Sequence, residues 1–265
     1  MALPISRSAV DKLGKLLVAG TMAPEDWQRL EEVLSAYQES LDSAQAILTD
    51  AGLQPTTRVK STGTLIEKPR RGTSMKSIQD IAGARLVVSG GRPAQDAVVS
   101  RVRILLGGEG EAAPKTVDRR ANPTHGYRAV HVIAHHNGLP VELQVRTELQ
   151  DSWAQLVERV GDMWGRGLRY GTSLNEPLRP LFPGGRVTRS DFVGSLMNLS
   201  ESLSRLETNE GVLRWLSAPR REGILENVSL RLSYSELAAE MHGLRSRVVG
   251  QLDTLAELLD QMEAS

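Results

Sequence analysis

The chain has 265 residues and a formal net charge of zero, so it can form one large domain or a domain with an appendage, and its bulk charge does not indicate a nucleic-acid partner. Its 40% hydrophobic and 24% charged residues are typical of a soluble globular protein, and the lack of cysteine excludes disulfides and thiolate metal sites. No apolar run approaches the ~20 residues of a membrane span, and the N-terminus lacks a basic segment followed by an apolar one, so we expect a cytoplasmic protein.

The first strong pattern is a helical stripe of apolar residues. Its members recur at steps of three and four, which places them on one helix face: Trp27, Leu30, Leu34, Tyr37, Leu41, Ala44 and Leu48. Pro24 suits the first turn of this helix, and Gly52 suits the residue just past its end. A weaker helix is predicted over 10–18. We therefore expect residues 1–52 to form N-terminal helices that pack on a following core.

Residues 53–165 alternate between strand and helix patterns and form the predicted core domain. The patterns predict strands over 57–62, 84–89, 115–118, 127–134 and 141–146, and helices over 94–106 and 150–164. The run Gly90-Gly91-Arg92-Pro93 is predicted to end the strand over 84–89, before the helix over 94–106. His136-Asn137-Gly138 is predicted to form a hairpin turn. Helices combined with a partly antiparallel sheet predict an α/β fold of the α+β type, in which helices flank a mixed sheet.

The remainder divides into a linker and a helical region. Residues 166–190 are rich in glycine and proline, which predicts a linker. Within 191–265, one helix face is predicted to carry Phe192, Leu196, Leu199, Leu203 and Leu206. Ser233–Glu236 has capping-box spacing, and the apolar stripe that follows predicts either a core helix or a homo-oligomer seam. Residues 201–265 hold eleven acidic and seven basic side chains, which favours packing or a protein partner over RNA.

Two carboxylates stand beside valine-rich runs. Asp80 precedes the run 82–88, and Glu142 lies inside the run 141–147. Short apolar runs of this kind are typical of buried strands, and carboxylates on neighbouring strands can jointly hold Mg²⁺, the usual partner of a nucleoside triphosphate. Upstream, residues 54–76 contain six basic residues and one acidic residue, an excess that suits either a polyanion site or a solvated surface. The first hypothesis is therefore a phosphoryl-transfer site.

Four motifs extend this hypothesis: Arg58-Val59-Lys60-Ser61 with Lys68, Asp80-Ile81-Ala82-Gly83-Ala84-Arg85, His125-Gly126-Tyr127-Arg128-Ala129-Val130-His131, and Glu142-Leu143-Gln144-Val145-Arg146-Thr147. Each motif alone is weak, but their order and spacing are specific. Together they resemble the synthetase domain of the RelA/SpoT family of alarmone synthetases, over roughly residues 25 to 165. The resemblance implies a nucleotidyltransferase-like domain with a C-terminal helical extension. It also implies transfer of the β,γ-diphosphate of ATP to a nucleotide 3′-hydroxyl, with release of AMP.

The resemblance assigns four residues to ATP. Arg58 and Arg85 match the arginines that sandwich the adenine, a role that suits a planar cation. For Arg85, a strand-end salt bridge is the alternative. Lys60 and Lys68 match groups that neutralise the triphosphate and the charge that shifts during transfer.

It further assigns the two carboxylates to the chemical step. Asp80 matches the magnesium ligand, so the resemblance implies Mg²⁺ as the cofactor. Glu142 matches the second carboxylate, which assists metal binding and accepts the proton of the attacking hydroxyl. The alternative for Asp80 is a helix cap.

The acceptor side follows in the same way. Tyr127 matches the aromatic residue that stacks on the acceptor base, and His131, Gln144 and Arg146 match residues that position the substrates. The alternatives are a core tyrosine for Tyr127 and a buried, hydrogen-bonded histidine for His131.

Departures from the family pattern leave the acceptor open. The segment 118–125 lacks the lysine that housekeeping enzymes carry before Gly126-Tyr127, although Arg119 or Arg120 could replace it. Residues 119–131 look more like the toxin branch of the small synthetases, whose members make adenosine alarmones or diphosphorylate the tRNA 3′-end. Arg70 and Arg71 are then candidate RNA or phosphate contacts.

We therefore expect a diphosphotransferase whose acceptor has more than one candidate. A guanosine nucleotide is the family default, and a tRNA 3′-end or an adenosine nucleotide is the alternative, with an antitoxin protein as a further candidate partner. No His-Asp pair typical of the family's hydrolase is present, so we expect a synthetase without hydrolase activity. A reading of another class is an inactive nucleotide- or RNA-binding module.

Overall fold

The computed structural model describes residues 3–108, 112–171, 174, 176–217 and 228–264. Its helices are α1 Arg7–Ala19, α2 Pro24–Asp50, α3 Thr62–Leu65, α4 Glu67–Arg70, α5 Gly91–Leu105, α6 Glu148–Trp164, α7 Arg189–Leu216 and α8 Val228–Glu263. Its strands are β1 Thr56–Val59, β2 Ala82–Val88, β3 Lys115–Asp118, β4 Val130–His136 and β5 Leu139–Thr147, and short 3₁₀ turns cover Met75–Ser77 and Arg166–Tyr170.

The chain forms two compact units. Unit 1 comprises Met1–Val87, Ala97–Val117 and Val130–Val145, and unit 2 comprises Val88–Asp96, Asp118–Ala129 and Arg146–Ser265. The four consecutive segments expected from the sequence stay a prediction.

The five strands form one sheet in the order β1-β2-β5-β4-β3, in which β1 pairs antiparallel with β2 and β4 with β5. The β4–β5 hairpin turns at Asn137 and Gly138, whose φ angles are 53° and 78°. Positive φ at both central residues is the mark of a type I′ turn, whose twist matches that of the flanking strands. The predicted α+β fold with a sheet flanked by helices is confirmed, and so is the predicted hairpin turn.

One face of the sheet is apolar and buried. Alternate residues of β2, β4 and β5 are at most 6% exposed: Ala82, Ala84, Leu86, Val130, Val132, Ala134, Val141, Leu143 and Val145. Successive side chains of a strand point to opposite faces, so the intervening residues lie on the other face. Among them, Arg85, Glu142 and Gln144 are half-buried. The sheet therefore holds several predicted site residues on the face opposite its apolar core.

Helices α1 and α2 contribute to the core of unit 1. Helix α1 confirms the weaker helix predicted over 10–18. In α2, Leu30, Tyr37, Leu41, Ala44 and Leu48 are buried as expected. The inclusion of Trp27 was wrong, because its side chain is 42% exposed and the buried stripe passes through Val33 and Ala36 instead.

Four predicted boundaries were wrong. Strand β1 ends at Val59 rather than at residue 62, where α3 begins. Helix α5 begins at Gly91 rather than after Pro93, because proline in the first turn lacks only an N–H that has no intrahelical partner. Strand β4 begins at Val130 rather than Tyr127, because the Tyr127 N–H closes a turn on the Thr124 carbonyl at 3.0 Å. Helix α8 begins at Val228, so Ser233 lies inside the helix and does not start a capping box.

Helices α6, α7 and α8 supply the core of unit 2. The buried cluster includes the stripe predicted for α7 together with Trp153, Val160, Met241, Val248 and Leu259. Trp164 and Phe192 meet edge to face with ring centroids 5.6 Å apart. The apolar stripe of α8 thus packs within unit 2, and assembly through these helices stays a prediction. Among the described residues, no helix combines the length and apolar character that crossing a membrane requires.

Candidate active site

Two lysines and one aspartate meet where β1 ends and β2 begins in unit 1. Lys60 follows β1, and its amide N–H donates to the Ile81 carbonyl at 2.9 Å, which extends the pairing of the two strands. The Nζ atoms of Lys60 and Lys68 lie 3.0 Å and 2.8 Å from Oδ2 of Asp80. The side chains of Lys60 and Asp80 are 18% and 22% exposed, so this cluster is partly desolvated.

The cluster keeps Asp80 ionised and leaves one of its oxygens available. Burial raises the pKa of Asp80, but the ammonium groups of Lys68 and Lys60 outweigh burial, so the pKa lies below its ordinary value. Oδ1 of Asp80 is buried and has no hydrogen-bond partner within the described part of the chain.

This orphaned oxygen allows a test of the magnesium expectation. Mg²⁺ commonly takes one or two protein carboxylates and completes its shell with substrate phosphates and water. The Oδ1 atom of Asp80 fits such a ligand, because a buried anionic oxygen without a partner is stabilised by a cation. The described residues contain no group of three or more His, Asp or Glu placed to hold a metal.

Arg58 and Arg85 lie on one face of the β1–β2 pair. Arg58 stands opposite Gly83, and Thr56 stands opposite Arg85, so the two arginines are diagonal neighbours. Diagonal neighbours lie roughly 7–8 Å apart, which suits two planar guanidinium groups with a flat ring between them. A Cβ on Gly83 would lie 3.8 Å from the Arg58 carbonyl and 3.9 Å from the Glu142 carbonyl, so Gly83 links these two positions across the sheet.

Glu142 is hydrogen-bonded to a histidine of the neighbouring strand. His131 stands opposite Gln144 in the β4–β5 register, so it shares a face with Glu142 two residues earlier. Nδ1 of His131 lies 2.8 Å from Oε1 of Glu142, and the two side chains are 11% and 13% exposed. An imidazole bonded to a carboxylate orients that carboxylate. The hydrogen bond therefore fixes the Glu142 side chain in a largely desolvated place.

In unit 2, Tyr127 and Arg146 form a second cluster. The guanidinium carbon of Arg146 lies 5.1 Å from the centroid of the Tyr127 ring, and Nη2 of Arg146 donates to the Tyr127 hydroxyl at 3.3 Å. Nη1 of Arg146 donates to the buried Asp151 carboxylate at 2.9 Å. Burial lowers the pKa of Arg146, but Tyr127 and Asp151 outweigh burial and raise that pKa. The cation therefore holds the tyrosine ring in place from one side.

The loop that carries Tyr127 is anchored by α7. Arg128 is 4% exposed, and its Nε donates to the carbonyl and Oγ of Ser200 at 3.2 and 3.0 Å. Its Nη2 donates to Glu201 at 2.8 Å, and the Ser200 hydroxyl donates to the Gly126 carbonyl at 2.5 Å. Gly126 has φ 78°, and a Cβ there would lie 2.8 Å from the Trp153 ring. Only glycine fits this turn, so α6 and α7 together fix the residue before Tyr127.

The two arginines expected to replace a lysine are both engaged inside unit 2. Nη1 of Arg119 donates to the Thr124 hydroxyl at 2.6 Å. Arg120 forms ion pairs with Asp118 at 2.6 Å and with Asp96 at 2.7 Å. Hydrogen bonds from Arg120 lower the pKa of Asp118. The predicted phosphate contacts of these arginines stay predictions, and for Arg120 the structure shows a role in holding the loop.

The structure thus groups the predicted residues by unit. Unit 1 holds Arg58, Lys60, Lys68, Asp80, Arg85, His131, Glu142 and Gln144, and unit 2 holds Arg119, Arg120, Tyr127 and Arg146. Arg70 and Arg71 are exposed at the end of α4, and Nη2 of Arg71 lies 3.6 Å from Glu67. Sequence reasoning missed Arg128 and Ser200, whose contact joins residues far apart in the chain, and Asp151, which lies only five residues after its partner Arg146. The capping box of Thr147 and Gln150 is a local sequence signal for the start of α6, the helix that carries Asp151.

Comparisons with known proteins identify relatives of this chain. A family model described as a region found in RelA / SpoT proteins matches residues 57–160. Uncharacterised proteins of Mycobacterium bovis and Mycobacterium tuberculosis are 34% identical over 211 residues, which is 77% of this chain and 75% of each relative.

Solved structures show the same fold. The small alarmone synthetase 1 of Bacillus subtilis superposes with a TM-score of 0.52 at 20% identity, over 72% of this chain and 96% of that protein. The same enzyme bound to its product pppGpp gives a TM-score of 0.51 at 19% identity, over 73% and 98% of the two chains.

Proposed function

Because this chain belongs to the RelA/SpoT family, we propose that it is a (p)ppGpp-type pyrophosphokinase, which moves the β,γ-diphosphate of ATP to the 3′-hydroxyl of a guanosine nucleotide. Family membership and the fold shared with small alarmone synthetases support the reaction class. The observation that carries the proposal is the cluster of Lys60, Lys68 and Asp80, in which two cations flank an ionised carboxylate with one unpartnered oxygen. This arrangement suits a magnesium-bound polyphosphate.

The proposed step needs one base. The 3′-oxygen of the acceptor forms a bond to the β-phosphorus of ATP, the bond from that phosphorus to the α,β-bridging oxygen breaks, and AMP leaves. The hydroxyl proton passes to Glu142, which His131 orients through the 2.8 Å hydrogen bond. Magnesium, when bound through Asp80, supplies positive charge to the phosphates. Lys60 and Lys68 stabilise the charge that moves to the leaving AMP.

A second candidate acceptor is the 3′-end of tRNA. A 5′-di- or triphosphate on the acceptor would need cations near Tyr127, and Arg120 is already neutralised by Asp118 and Asp96. The terminal adenosine of tRNA presents a free 3′-hydroxyl and no 5′-polyphosphate. Such an enzyme would block translation, and a cell that makes it would need an antitoxin protein.

The deciding experiment uses ATP labelled on its γ-phosphate and measures which product carries the label. Purified protein is incubated with Mg²⁺ and with GDP, GTP, AMP, ADP or bulk tRNA, and the products are separated by size. Label in a small guanosine product supports the first acceptor, and label in the RNA band supports the second. Glu142→Gln should abolish transfer and keep ATP binding, while Lys15→Ala, an exposed lysine of α1, serves as the control. Transfer at the wild-type rate by Glu142→Gln would refute the assignment of the base.

A further inference from the structure

Apart from the proposed active site, unit 1 contains a basic cavity beside the β4–β5 hairpin. Two openings, with volumes of about 790 Å³ and 490 Å³, share the lining residues Arg7, Lys76, His135 and Pro140 and therefore adjoin. Volumes of this size are those of small-molecule sites. None of the residues proposed above to bind ATP or the acceptor lines either opening. We refer to the two openings together as the hairpin cavity.

The charged side chains that line the hairpin cavity are cationic. They are Arg7 and Lys76, with His135 beside them in both openings, and no Asp or Glu lines either opening. Within the described residues, none of these three side chains has a hydrogen bond or an ion pair. Lys76 does act on Asp11, whose pKa is lowered mainly by a hydrogen bond from Ser74, but Asp11 lines neither opening. The cavity thus carries positive charge and has no carboxylate in its lining.

The N-terminus of α1 adds to this charge. Ser6 caps the helix by accepting from the Ala9 N–H at 3.2 Å, and Arg7 occupies the first helical position. The first turn contains no acidic residue, so the positive end of the helix is not compensated by its own side chains. A cation at this position opposes the helix dipole, whereas an anion bound beside Arg7 would interact favourably with both.

A buried tyrosine independently points to a ligand. Tyr37 is 5% exposed and lines the larger opening, yet its hydroxyl has no hydrogen-bond partner within the described residues. Burial raises the pKa of Tyr37, against the opposing effect of Arg7, so the hydroxyl stays protonated and can donate. Because Tyr37 lines the opening, its hydroxyl can donate to an acceptor oxygen of a ligand bound there.

We propose that the hairpin cavity binds a small phosphorylated molecule. Arg7 and Lys76 contact its phosphate, and Tyr37 donates to a phosphate or ligand oxygen. The apolar part of the wall, which includes Leu3, Val10 and Leu139, accommodates the rest of the ligand. This site is separate from the proposed active site and does not depend on the proposed function.

The test uses calorimetric titration with 5′-GMP, and with guanosine as the probe that lacks the phosphate. Both are titrated into the full chain carrying Lys60→Ala, Lys68→Ala and Tyr127→Ala, which silence the proposed active site. We expect saturable binding of one 5′-GMP per chain and binding of guanosine that is weaker by about tenfold or more, since charge-assisted hydrogen bonds to the phosphate are lost. Equal affinity for guanosine, or no binding of 5′-GMP, would overturn the proposal.

Variants of the cavity identify where 5′-GMP binds. In the same background, Arg7→Ala with Lys76→Ala should weaken 5′-GMP binding by about tenfold or more, and Tyr37→Phe by several-fold. Lys12→Ala with Lys15→Ala removes the same charge from α1 at positions that line neither opening, and should leave the affinity unchanged. An equal loss in both double variants would mean that only net charge matters and would refute the site. Circular dichroism confirms that each variant is folded.

Discussion

Replacement of Glu207 should strongly destabilise unit 2. This carboxylate of α7 is 2% exposed, accepts hydrogen bonds from the Thr147 hydroxyl and from Nε2 of Gln150 at 2.7 Å, and lies 3.7 Å from Nε of Arg92. Glu207→Ala would leave two buried donors without this acceptor, and Arg92, which is 20% exposed, without its ion-pair partner. Loss of one partner of a buried ion pair costs about 3–5 kcal/mol, and we expect a free energy of unfolding lower by that amount.

Glu201→Ala provides the matched control. Glu201 also lies on α7 and also pairs with an arginine, but its side chain is 69% exposed. Arg128 is buried, but it would keep its hydrogen bonds to Ser200, and water can replace a carboxylate that is 69% exposed, so we expect a loss of about 1 kcal/mol. Glu207→Gln retains an acceptor and loses the charge, so its loss of unfolding free energy should lie between those of Glu207→Ala and Glu201→Ala.

Urea unfolding followed by tryptophan fluorescence measures these differences. Three of the four tryptophans, Trp153, Trp164 and Trp215, belong to unit 2, so the signal reports mainly on that unit. A loss below about 1 kcal/mol for Glu207→Ala, or equal losses for Glu207→Ala and Glu201→Ala, would refute the view that burial makes this carboxylate important.

Three further predictions test other parts of the molecule. Tyr127→Phe should retain most activity because it keeps the ring and loses the long, 3.3 Å hydrogen bond from Arg146, whereas Tyr127→Ala should raise KM for the acceptor about tenfold and leave KM for ATP unchanged, as measured by initial rates. The pKa of Asp80 is lower in the folded state than in the unfolded state, so its carboxylate stabilises the fold above the unfolded pKa. This stabilisation is lost as the pH falls through the folded pKa. Asp80→Asn should therefore make the free energy of unfolding decline less steeply below about pH 4. Asn137→Val should cost about 1–2 kcal/mol in thermal unfolding because it forces a β-branched residue to φ 53°, while Asn137→Gly should be near neutral.

Local patterns in the sequence predicted most of the secondary structure. The strand over 115–118 and the hairpin turn at Asn137 depend on β propensity and turn chemistry, which act over a few residues. The wrong boundaries arose where one signal has two meanings. Pro93 can end an element or occupy the first turn of a helix, and only the structure shows that α5 begins before it.

The sequence motifs identified the residues of the candidate site, but not the residues that hold them in place. Lys60, Lys68 and Asp80 were placed together through the family pattern, and the structure shows their ion pairs. The partners of Arg120 and Arg128 could not be predicted, because Asp96 and Ser200 lie far from them in the sequence. Hydrophobic periodicity identifies a buried helix face, but it does not show which polar group of that helix meets which loop.

The anchoring of Tyr127 gives the C-terminal helices a part in the proposed function. The region that matches the family model ends at residue 160, whereas Ser200 and Glu201, which hold Arg128, lie on α7 beyond it. Gly126, the residue before Tyr127, is bonded to the Ser200 hydroxyl. The matched region therefore contains the groups proposed to act on the substrates but not all the groups that hold the acceptor loop. Since a misplaced aromatic ring weakens stacking before it affects the phosphates, changes in α7 should act on acceptor affinity more than on ATP affinity.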